Sequence, residues 1–313
     1  MTGLESATAI NVVFCVDGEF CQHLCVTLAS LLVNNPSNAF RIFVIYDHVE
    51  TDSLSRVQAL ANQYANCEVE LCRFDSAPYR AFRLDAHISL ASYFRIFLPK
   101  LIPERVDRVL YLDSDLIIRS DVSDLLSIDL NGAYLAGVSN VFSPENAARL
   151  GLPASAFYFN AGVLVINLQY WREKDVSARL VDYVVENADI LKFHDQDALN
   201  AVMHGKVREL DYVWNFQART RPQDMPAIGR HPADYDAVAN SARIIHFTTA
   251  QKPWYYRHDV AFKDEYYKYL KLTPFSDYRP PDFTLSNFMR KQIKALIRMG
   301  SKVGSSTRTI GAR

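Results

Sequence analysis

Short apolar runs rich in β-branched residues alternate with helix-like segments along most of the chain. Three of these runs, residues 10–17, 40–47 and 108–113, each end in an aspartate. Runs of this length, bounded by polar residues, predict strands that are buried on both faces of a sheet. Further strands are expected at 68–74, 133–140, 158–168 and 242–247. This alternation predicts an α/β fold with a single Rossmann-like, mostly parallel sheet and helices on both of its faces.

The segments between the strands carry apolar residues at helical spacing. Helices are predicted at 20–35, 51–64, 89–102, 169–187 and 194–205. Pro99 is expected to interrupt the third of them, because proline lacks a backbone N–H. Residues 217–240 are polar and contain prolines, and we expect a long loop or an acceptor-facing insertion there.

The composition is that of a soluble globular protein. The 313 residues are 49% hydrophobic and 22% charged, which suffices for a sizeable core. The N-terminus lacks the basic and apolar segments of a secretory signal, and no stretch of about 20 residues is apolar enough to span a bilayer. The formal net charge is −1. We predict a cytoplasmic chain and expect no nucleic-acid partner.

Two aspartates, Asp113 and Asp115, lie close together in the stretch "RVLYLDSDLIIRS". Side chains at i and i+2 project to the same side if the strand continues. Two buried carboxylates raise each other's pKa, and keeping both ionised without a partner is costly. A divalent cation removes this cost, and carboxylate oxygens suit Mg²⁺ or Mn²⁺ that also binds phosphate groups. Since ligands of such sheets bind beyond the carboxyl ends of the strands, the pair predicts a metal that holds a diphosphate.

Other interpretations of the pair stay open at this point. A bare DxD is more often a solvated loop whose acids cap a helix. Haloacid-dehalogenase-type phosphatases also place DxD after a strand and use one aspartate as nucleophile. They prefer Thr or Val at the position of Ile117, and their motif usually opens the domain, whereas strands and helices precede it here. A metal-dependent phosphohydrolase is therefore retained as an alternative.

Six stretches occur in the order and approximate spacing of one known family, over residues 10–260. They are "NVVFCVDGEF…LCVTLASLLVNNP", "ISLASYFRIFLPKLIP", "RVLYLDSDLIIRSDVSDLL", "YFNAGVLVINLQYWRE", "HDQDALN" and "IIHFTTAQKPW". Together they resemble glycosyltransferase family 8, and most closely its bacterial galactosyl- and glucosyltransferases of lipopolysaccharide cores. The resemblance implies a GT-A fold, a UDP-galactose or UDP-glucose donor, Mn²⁺ as cofactor with Mg²⁺ as the alternative, and retention of anomeric configuration.

The resemblance also implies a set of metal and donor ligands. Asp113, Asp115 and His246 match the metal ligands of the family, and an imidazole added to two carboxylates favours Mn²⁺. Asp17 matches a residue that contacts the uridine, and Phe20 an aromatic position near the base. The other donor-binding positions implied are Val16, Arg95, Ser114 and Lys252.

A second set of matched residues surrounds the donor hexose and the acceptor. Asp195 and Gln196 match residues near the reacting carbon and are the candidate catalytic residues. Retention requires either two inversions or attack on the face that UDP leaves. Because Gln196 is a poor nucleophile and Asp195 is matched to sugar hydroxyls, we favour same-face attack, with double displacement left open. The full set is His87, Asn160, Ala161, Gly162, Asp195 and Gln196.

Residues 281–313 are predicted to be a tail that follows a catalytic domain at 1–280. From 283 to 313 the chain has seven Lys/Arg and no Asp/Glu, so the first 282 residues carry a formal charge of −8. Apolar residues recur at helical spacing, which predicts a basic amphipathic helix. We expect it to dock on the inner face of the cell membrane and to bring the enzyme to an oligosaccharide or lipid-linked acceptor, although a helix packed on the domain or a disordered end is the alternative. The apolar residues are Leu285, Phe288, Met289, Ile293, Leu296 and Ile297.

Two further functions are compatible with the same motifs. A self-glucosylating primer like glycogenin would need an acceptor tyrosine, and none of the 17 tyrosines matches that role. A non-catalytic sugar-nucleotide binder is disfavoured, because the metal-binding set of Asp113, Asp115 and His246 is intact.

Overall fold

A seven-stranded sheet lies at the centre of the computed structural model, which describes residues 9–80, 82, 89–141 and 143–293. The strands are, in chain order, β1 (Ile10–Val16), β2 (Phe40–Tyr46), β3 (Cys67–Arg73), β4 (Arg108–Leu112), β5 (Leu116–Ile118), β6 (Leu135–Ser139), β7 (Phe159–Asn167), β8 (Val207–Leu210), β9 (Phe216–Gln217) and β10 (Ile244–His246). The order in the large sheet is β3-β2-β1-β4-β7-β6-β8. Only β7 runs antiparallel to its neighbours in this sheet, so the predicted α/β fold with a mostly parallel sheet is confirmed.

Helices cover both faces of this sheet. They are α1 (Cys21–Val33), α2 (Thr51–Ala61), α3 (Leu98–Leu101), α4 (Ser123–Leu126), α5 (Ser143–Arg149), α6 (Leu168–Glu173), α7 (Val176–Glu186), α8 (His194–Val202), α9 (Tyr235–Ser241) and α10 (Lys263–Leu270). Val12 and Phe14 of β1 pack with α1 and α2 in one core. Val13 and Cys15 pack with α7 and α8 in the other. Burial on both faces explains why β1 has no polar alternation.

Two predicted segments adopt a different local structure. Residues 89–102 form a 3-10 helix, Leu90–Phe97, followed by the short helix α3, instead of one interrupted α-helix. Pro99 lies in the first turn of α3. A backbone N–H at that position would have no intrahelical acceptor, so proline costs the helix no hydrogen bond. The expected long loop within 217–240 instead contains the 3-10 helices Pro222–Ile228 and Pro232–Asp234 and the helix α9.

A second, three-stranded sheet changes the interpretation of the paired aspartates. It consists of β5, β10 and β9, with β5 antiparallel to β10 and Leu116 opposite His246. Strand β4 ends at Leu112, so the strand continuation required by the i, i+2 argument does not occur. Asp113 and Asp115 lie instead where the chain passes from one sheet to the other, beside the end of β10.

Two hydroxyl groups of α1 hold β5 in this position. Thr27 Oγ1 lies 2.9 Å from the carbonyl oxygen of Ser114 and 3.0 Å from that of Leu116, and it accepts the Leu116 N–H at 3.0 Å. Ser30 Oγ accepts the Ile118 N–H at 2.9 Å. Because both hydroxyls are buried, they complete hydrogen bonds that water cannot supply.

The C-terminal segment is helical from 285 to 293, and residues 294–313, with the predicted Leu296 and Ile297, lie outside the described residues. Leu285 is 76% exposed, Met289 54% and Ile293 53%. These three residues are four apart and therefore share one face of the helix. Within the described residues, no helix combines the length and the hydrophobicity needed to cross a membrane.

We predict that Thr27→Val destabilises the protein by about 1–3 kcal/mol, because the isosteric side chain leaves the buried Leu116 N–H without an acceptor. The free energy of unfolding in urea measures this effect. Ser55→Ala, which removes an exposed helix hydroxyl, is the control and should cost less than about 0.5 kcal/mol. An equally small effect of Thr27→Val would contradict the anchoring role.

Candidate active site

Asp113, Asp115 and His246 converge at the junction of the two sheets. Each offers one ligand atom, and these atoms all lie within 4.8 Å of one another. His246 Nε2 is 3.6 Å from Asp113 Oδ2 and 3.2 Å from Asp115 Oδ1. Two carboxylate oxygens and one imidazole nitrogen form a donor set that suits Mn²⁺, with Mg²⁺ as the harder alternative. The structure thus brings together the three metal ligands predicted from the sequence.

Backbone pairing between strands fixes this convergence. The Asp113 N–H donates to the Gly162 carbonyl oxygen at 2.9 Å, and the Phe247 N–H donates to the Asp115 carbonyl oxygen at 3.1 Å. Gly162 faces the ligands directly. A Cβ atom on Gly162 would lie 2.2 Å from His246 Cε1 and 2.9 Å from Asp113 Oδ2. Only glycine leaves room for the imidazole at this position.

The buried guanidinium of Arg95 joins the metal ligands to the candidate catalytic residues. Its Nη2 donates to Asp113 Oδ1 at 3.0 Å, and its Nη1 donates to the Ala161 carbonyl oxygen at 2.5 Å. Its Nε lies 2.9 Å from Asp195 Oδ2, but this N–H donates to the Ser92 carbonyl oxygen. The Arg95–Asp195 contact is therefore an ion pair, and the partner expected for a buried arginine is present.

Burial and neighbouring charges shift the pKa values of this pair. Burial raises the pKa of Asp195 to about 6, with Arg95 opposing the rise and Asp113 adding to it. Burial disfavours the charge on Arg95, but Asp195, Tyr111 and Asp113 together raise the pKa of the guanidinium above its ordinary value. The Tyr111 ring lies under the guanidinium at 4.2 Å, and its hydroxyl donates to Asp113 Oδ1 at 3.0 Å.

Lys252 supplies the second cation of the site. Its Nζ donates to Asp115 Oδ2 at 2.5 Å and to the Phe247 carbonyl oxygen at 2.7 Å. Burial raises the pKa of Asp115, but Lys252 and then His246 outweigh burial and hold this pKa well below its usual range. Asp115 is therefore ionised, as a metal ligand must be.

Gln196 lies in a continuous hydrogen-bond network. Its Oε1 accepts from Asn160 Nδ2 at 3.1 Å and from the Ala161 N–H at 3.0 Å. Its Nε2 donates to the Tyr158 hydroxyl at 3.0 Å, and that hydroxyl donates to Asp197 Oδ1 at 2.6 Å. Both ends of the Gln196 amide are thereby held in one orientation.

The remaining predicted residues lie near the end of β1, between the two aspartates, or outside the described residues. Val16 is the buried last residue of β1, and Asp17 follows it and accepts the Phe20 N–H at 3.1 Å. The Phe20 ring contacts Trp254 edge-on, at 5.8 Å between centroids. Ser114 is buried between the two aspartates. His87 lies outside the described residues.

Four side chains that bond directly or through one another to the predicted site residues were not predicted from the sequence: Tyr111, Tyr158, Asp197 and Asn215. Tyr111, Tyr158 and Asp197 all occur within the stretches quoted above. Their positions in the same motifs as predicted site residues could have indicated them. Asn215 occurs in "VWNF" and has no such signal. It lies in the 3-10 turn Tyr212–Asn215, and only the fold brings it to His246.

The glycosyl transferase family 8 model matches residues 11–258, which include every described residue of this site. The chain belongs to glycosyltransferase family 8. This assignment confirms the resemblance drawn from the sequence.

This family 8 glycosyltransferase is similar to several bacterial proteins. It is 26% identical to the lipopolysaccharide 1,2-glucosyltransferase of Escherichia coli K12 over 95% of this chain and 88% of that protein. It is 27% identical to general stress protein A of Bacillus subtilis over 84% of this chain and 94% of that protein. The galactosyltransferase LgtC, solved with donor and acceptor sugar analogues, superposes with a TM-score of 0.73 at 23% identity, covering 88% of this chain and 99% of LgtC. The fold is therefore GT-A.

We predict that Gly162→Ala weakens Mn²⁺ binding by about 10–100-fold, the range typical when the support of a metal ligand is lost. The added methyl group would displace His246 or Asp113. Titration of free Mn²⁺ by electron paramagnetic resonance measures the affinity.

Gly18→Ala is the matched control for that experiment, because its Cβ would meet only the His48 carbonyl oxygen at 3.9 Å. The control should bind Mn²⁺ like the wild type. Wild-type affinity in Gly162→Ala would show that His246 is not held against Gly162.

Proposed function

We propose that this glycosyltransferase moves galactose or glucose from a UDP-sugar to a glycan acceptor, a hydroxyl of a lipopolysaccharide core, with retention of anomeric configuration. One observation carries the proposal: Asp113 and Asp115 meet His246, and hydrogen bonds through Asn215 connect His246 to Asn160 and Gln196. The names of the relatives, a lipopolysaccharide glucosyltransferase among them, support this acceptor class.

Asp113, Asp115 and His246 would hold Mn²⁺, or Mg²⁺ as the alternative. When bound, the metal acts as a Lewis acid that stabilises the charge developing on the departing diphosphate. Lys252 lies beside Asp115 and can add a positive charge at the same oxygens. Val16, Asp17 and Phe20, at the end of β1, are proposed to contact the uridine; Ser114 and Arg95 complete the donor side.

Arg95 orients two carboxylates around the reaction centre. It contacts both Asp113 and Asp195, so the position of the metal ligand and that of the candidate catalytic acid are coupled. Asn160 and Gln196 present amide groups that can bind sugar hydroxyls once water is excluded. We assign Asp195 and Gln196 to the reacting sugar, Asn160, Ala161 and Gly162 to its pocket, and His87 to the acceptor side.

The contacts of the nearby acids support same-face attack. Asp195 is paired with Arg95, and Asp197 accepts from Arg149, Tyr158 and two backbone N–H groups. A nucleophilic carboxylate would have to give up such bonds, and Gln196 Oε1 already accepts two. In same-face attack a phosphate oxygen of the leaving UDP takes the proton of the acceptor hydroxyl.

We predict that the full chain with Mn²⁺ releases UDP from UDP-galactose or UDP-glucose, and that Asp113→Asn and Asp115→Asn each lower this rate by about 100-fold or more. The reason is the loss of one charged metal ligand. A coupled assay for UDP measures the rate, and circular dichroism verifies that the variants fold.

Asp124→Asn is the control for these variants, since Asp124 forms an exposed ion pair with Arg243 away from the site. It should retain the wild-type rate. The proposal fails if no UDP-hexose is hydrolysed or raises the melting temperature with Mn²⁺. Release of inorganic phosphate instead of UDP would indicate a phosphohydrolase, and a hexose on the chain itself would indicate self-glucosylation.

We further propose that residues 281–313 dock on an anionic membrane surface. The helix at 285–293 exposes Leu285, Met289 and Ile293 on one face, and residues 283–313 carry seven Lys/Arg and no Asp/Glu. Apolar side chains enter the interface while each cation contributes about 1 kcal/mol near anionic lipid. Such docking would place the enzyme beside a lipid-linked acceptor.

We predict that the double variant Leu285→Ser/Met289→Ser lowers the partition coefficient onto vesicles containing phosphatidylglycerol by about tenfold or more, because two apolar side chains no longer enter the interface. Cosedimentation measures the bound fraction. Val185→Ser/Ile190→Ser removes two exposed apolar residues elsewhere and should bind like the wild type. Equal binding of all three proteins, or equal binding to neutral phosphatidylcholine vesicles, would contradict the docking.

A further inference from the structure

Asn215 lies between a metal ligand and the sugar pocket. It is fully buried and belongs to the turn that precedes β9. Its Oδ1 lies 2.9 Å from His246 Nδ1, and its Nδ2 lies 2.8 Å from Asn160 Oδ1. Its two contacts therefore join residues that belong to different parts of the site.

Two backbone N–H groups determine which way the amides of this network point. A backbone N–H can only donate, so the Asn160 atom 3.0 Å from the Gly162 N–H must be oxygen. By the same reasoning, the Gln196 atom 3.0 Å from the Ala161 N–H must be oxygen. Amide orientation is ordinarily inferred from the whole hydrogen-bond network. Here the main chain of β7 decides it.

The orientation of Asn160 fixes that of Asn215. Because Asn160 presents its oxygen, Asn215 must present its NH₂ group to Asn160 and its own oxygen to His246. An amide oxygen cannot donate, so the proton of this hydrogen bond resides on His246 Nδ1. The other ring nitrogen, Nε2, faces Asp113 and Asp115 and is the atom left to bind a metal.

The hydrogen bonds at the opposite end of the network run in the same direction from donor to acceptor. Asn160 donates to Gln196, Gln196 donates to Tyr158, and Tyr158 donates to Asp197. Asp197 is fully buried and also accepts from Arg149 at 2.7 and 2.8 Å, so this end of the network is an acceptor. The donor direction therefore runs without reversal from His246 to Asp197.

We propose that Asn215 is a positioning residue that holds His246 in the Nδ1–H tautomer and so presents Nε2 to the metal. This inference rests on the metal site of the proposed function. Partners of this kind fix the ring orientation and tautomer of metal-binding histidines, and their loss typically lowers metal affinity by about 10–100-fold.

The test compares Mn²⁺ affinity in the full chain for the wild type, Asn215→Leu and Asn215→Asp, by electron paramagnetic resonance of free Mn²⁺. Leucine keeps the branched four-atom skeleton of the asparagine side chain but has no acceptor, so the dissociation constant should rise about 10–100-fold. A carboxyl group presents an acceptor to Nδ1–H whether ionised or protonated. Asn215→Asp should therefore bind Mn²⁺ nearly as tightly as the wild type.

Asn35→Leu separates this role from general destabilisation. Asn35 is buried, and its side chain bonds the backbone of Leu31, Ser120 and Val122 away from the site. Asn35→Leu should lower the melting temperature without changing the Mn²⁺ dissociation constant.

Either of two results overturns the inference: wild-type affinity in Asn215→Leu, or an equal loss of affinity in Asn215→Asp and Asn215→Leu. If the wild type binds no Mn²⁺, the proposed metal site and this inference fail together. If the predicted order of affinities is observed but no hexose is transferred, only the proposed function fails.

Discussion

Repulsion among three carboxylates is the constraint on which the rest of the site depends. Asp115 and Asp195 are buried and Asp113 is partly buried beside them, and like charges brought together in such surroundings would otherwise protonate or separate. Arg95 spans Asp113 and Asp195, and Lys252 pairs with Asp115. Arg95 belongs to the 3-10 helix Leu90–Phe97, and Lys252 to the segment that follows β10. Since loss of one partner from a buried pair costs about 3–5 kcal/mol, folding and assembly of the site are coupled.

The break between the two sheets gives the site its shape. Strand β4 ends one residue before Asp113, and β5 begins one residue after Asp115, so the intervening turn faces both β7 and β10. The antiparallel direction of β7 places its first residues, including Gly162, beside the end of β4. The same geometry places β10, and with it His246, against the turn. A regular parallel strand through the aspartates would have prevented this approach.

Elements buried on both sides were predictable from the sequence, because an uninterrupted apolar run permits few other structures. The strand predicted at 10–17 is Ile10–Val16, and the one predicted at 40–47 is Phe40–Tyr46. The segment 89–102 was not predictable in detail. Its apolar spacing fits an α-helix and a 3-10 helix almost equally, and packing of Leu90–Phe97 against β1 and the helices of that face decides between them. The helices within 217–240 likewise depend on distant contacts.

The sequence by itself determined the α/β class, the family and the chemical types at the site: paired carboxylates at a strand end, a late histidine and a small-residue pocket. Local patterns suffice for these features, because they reflect burial and the residue types that bind metals and phosphates. Only the tertiary structure decided the partners of each group, including Arg95 with Asp195 and Asn215 with His246. Hydrogen bonds and ion pairs depend on distance and direction between segments far apart in the chain, and no local pattern specifies those quantities.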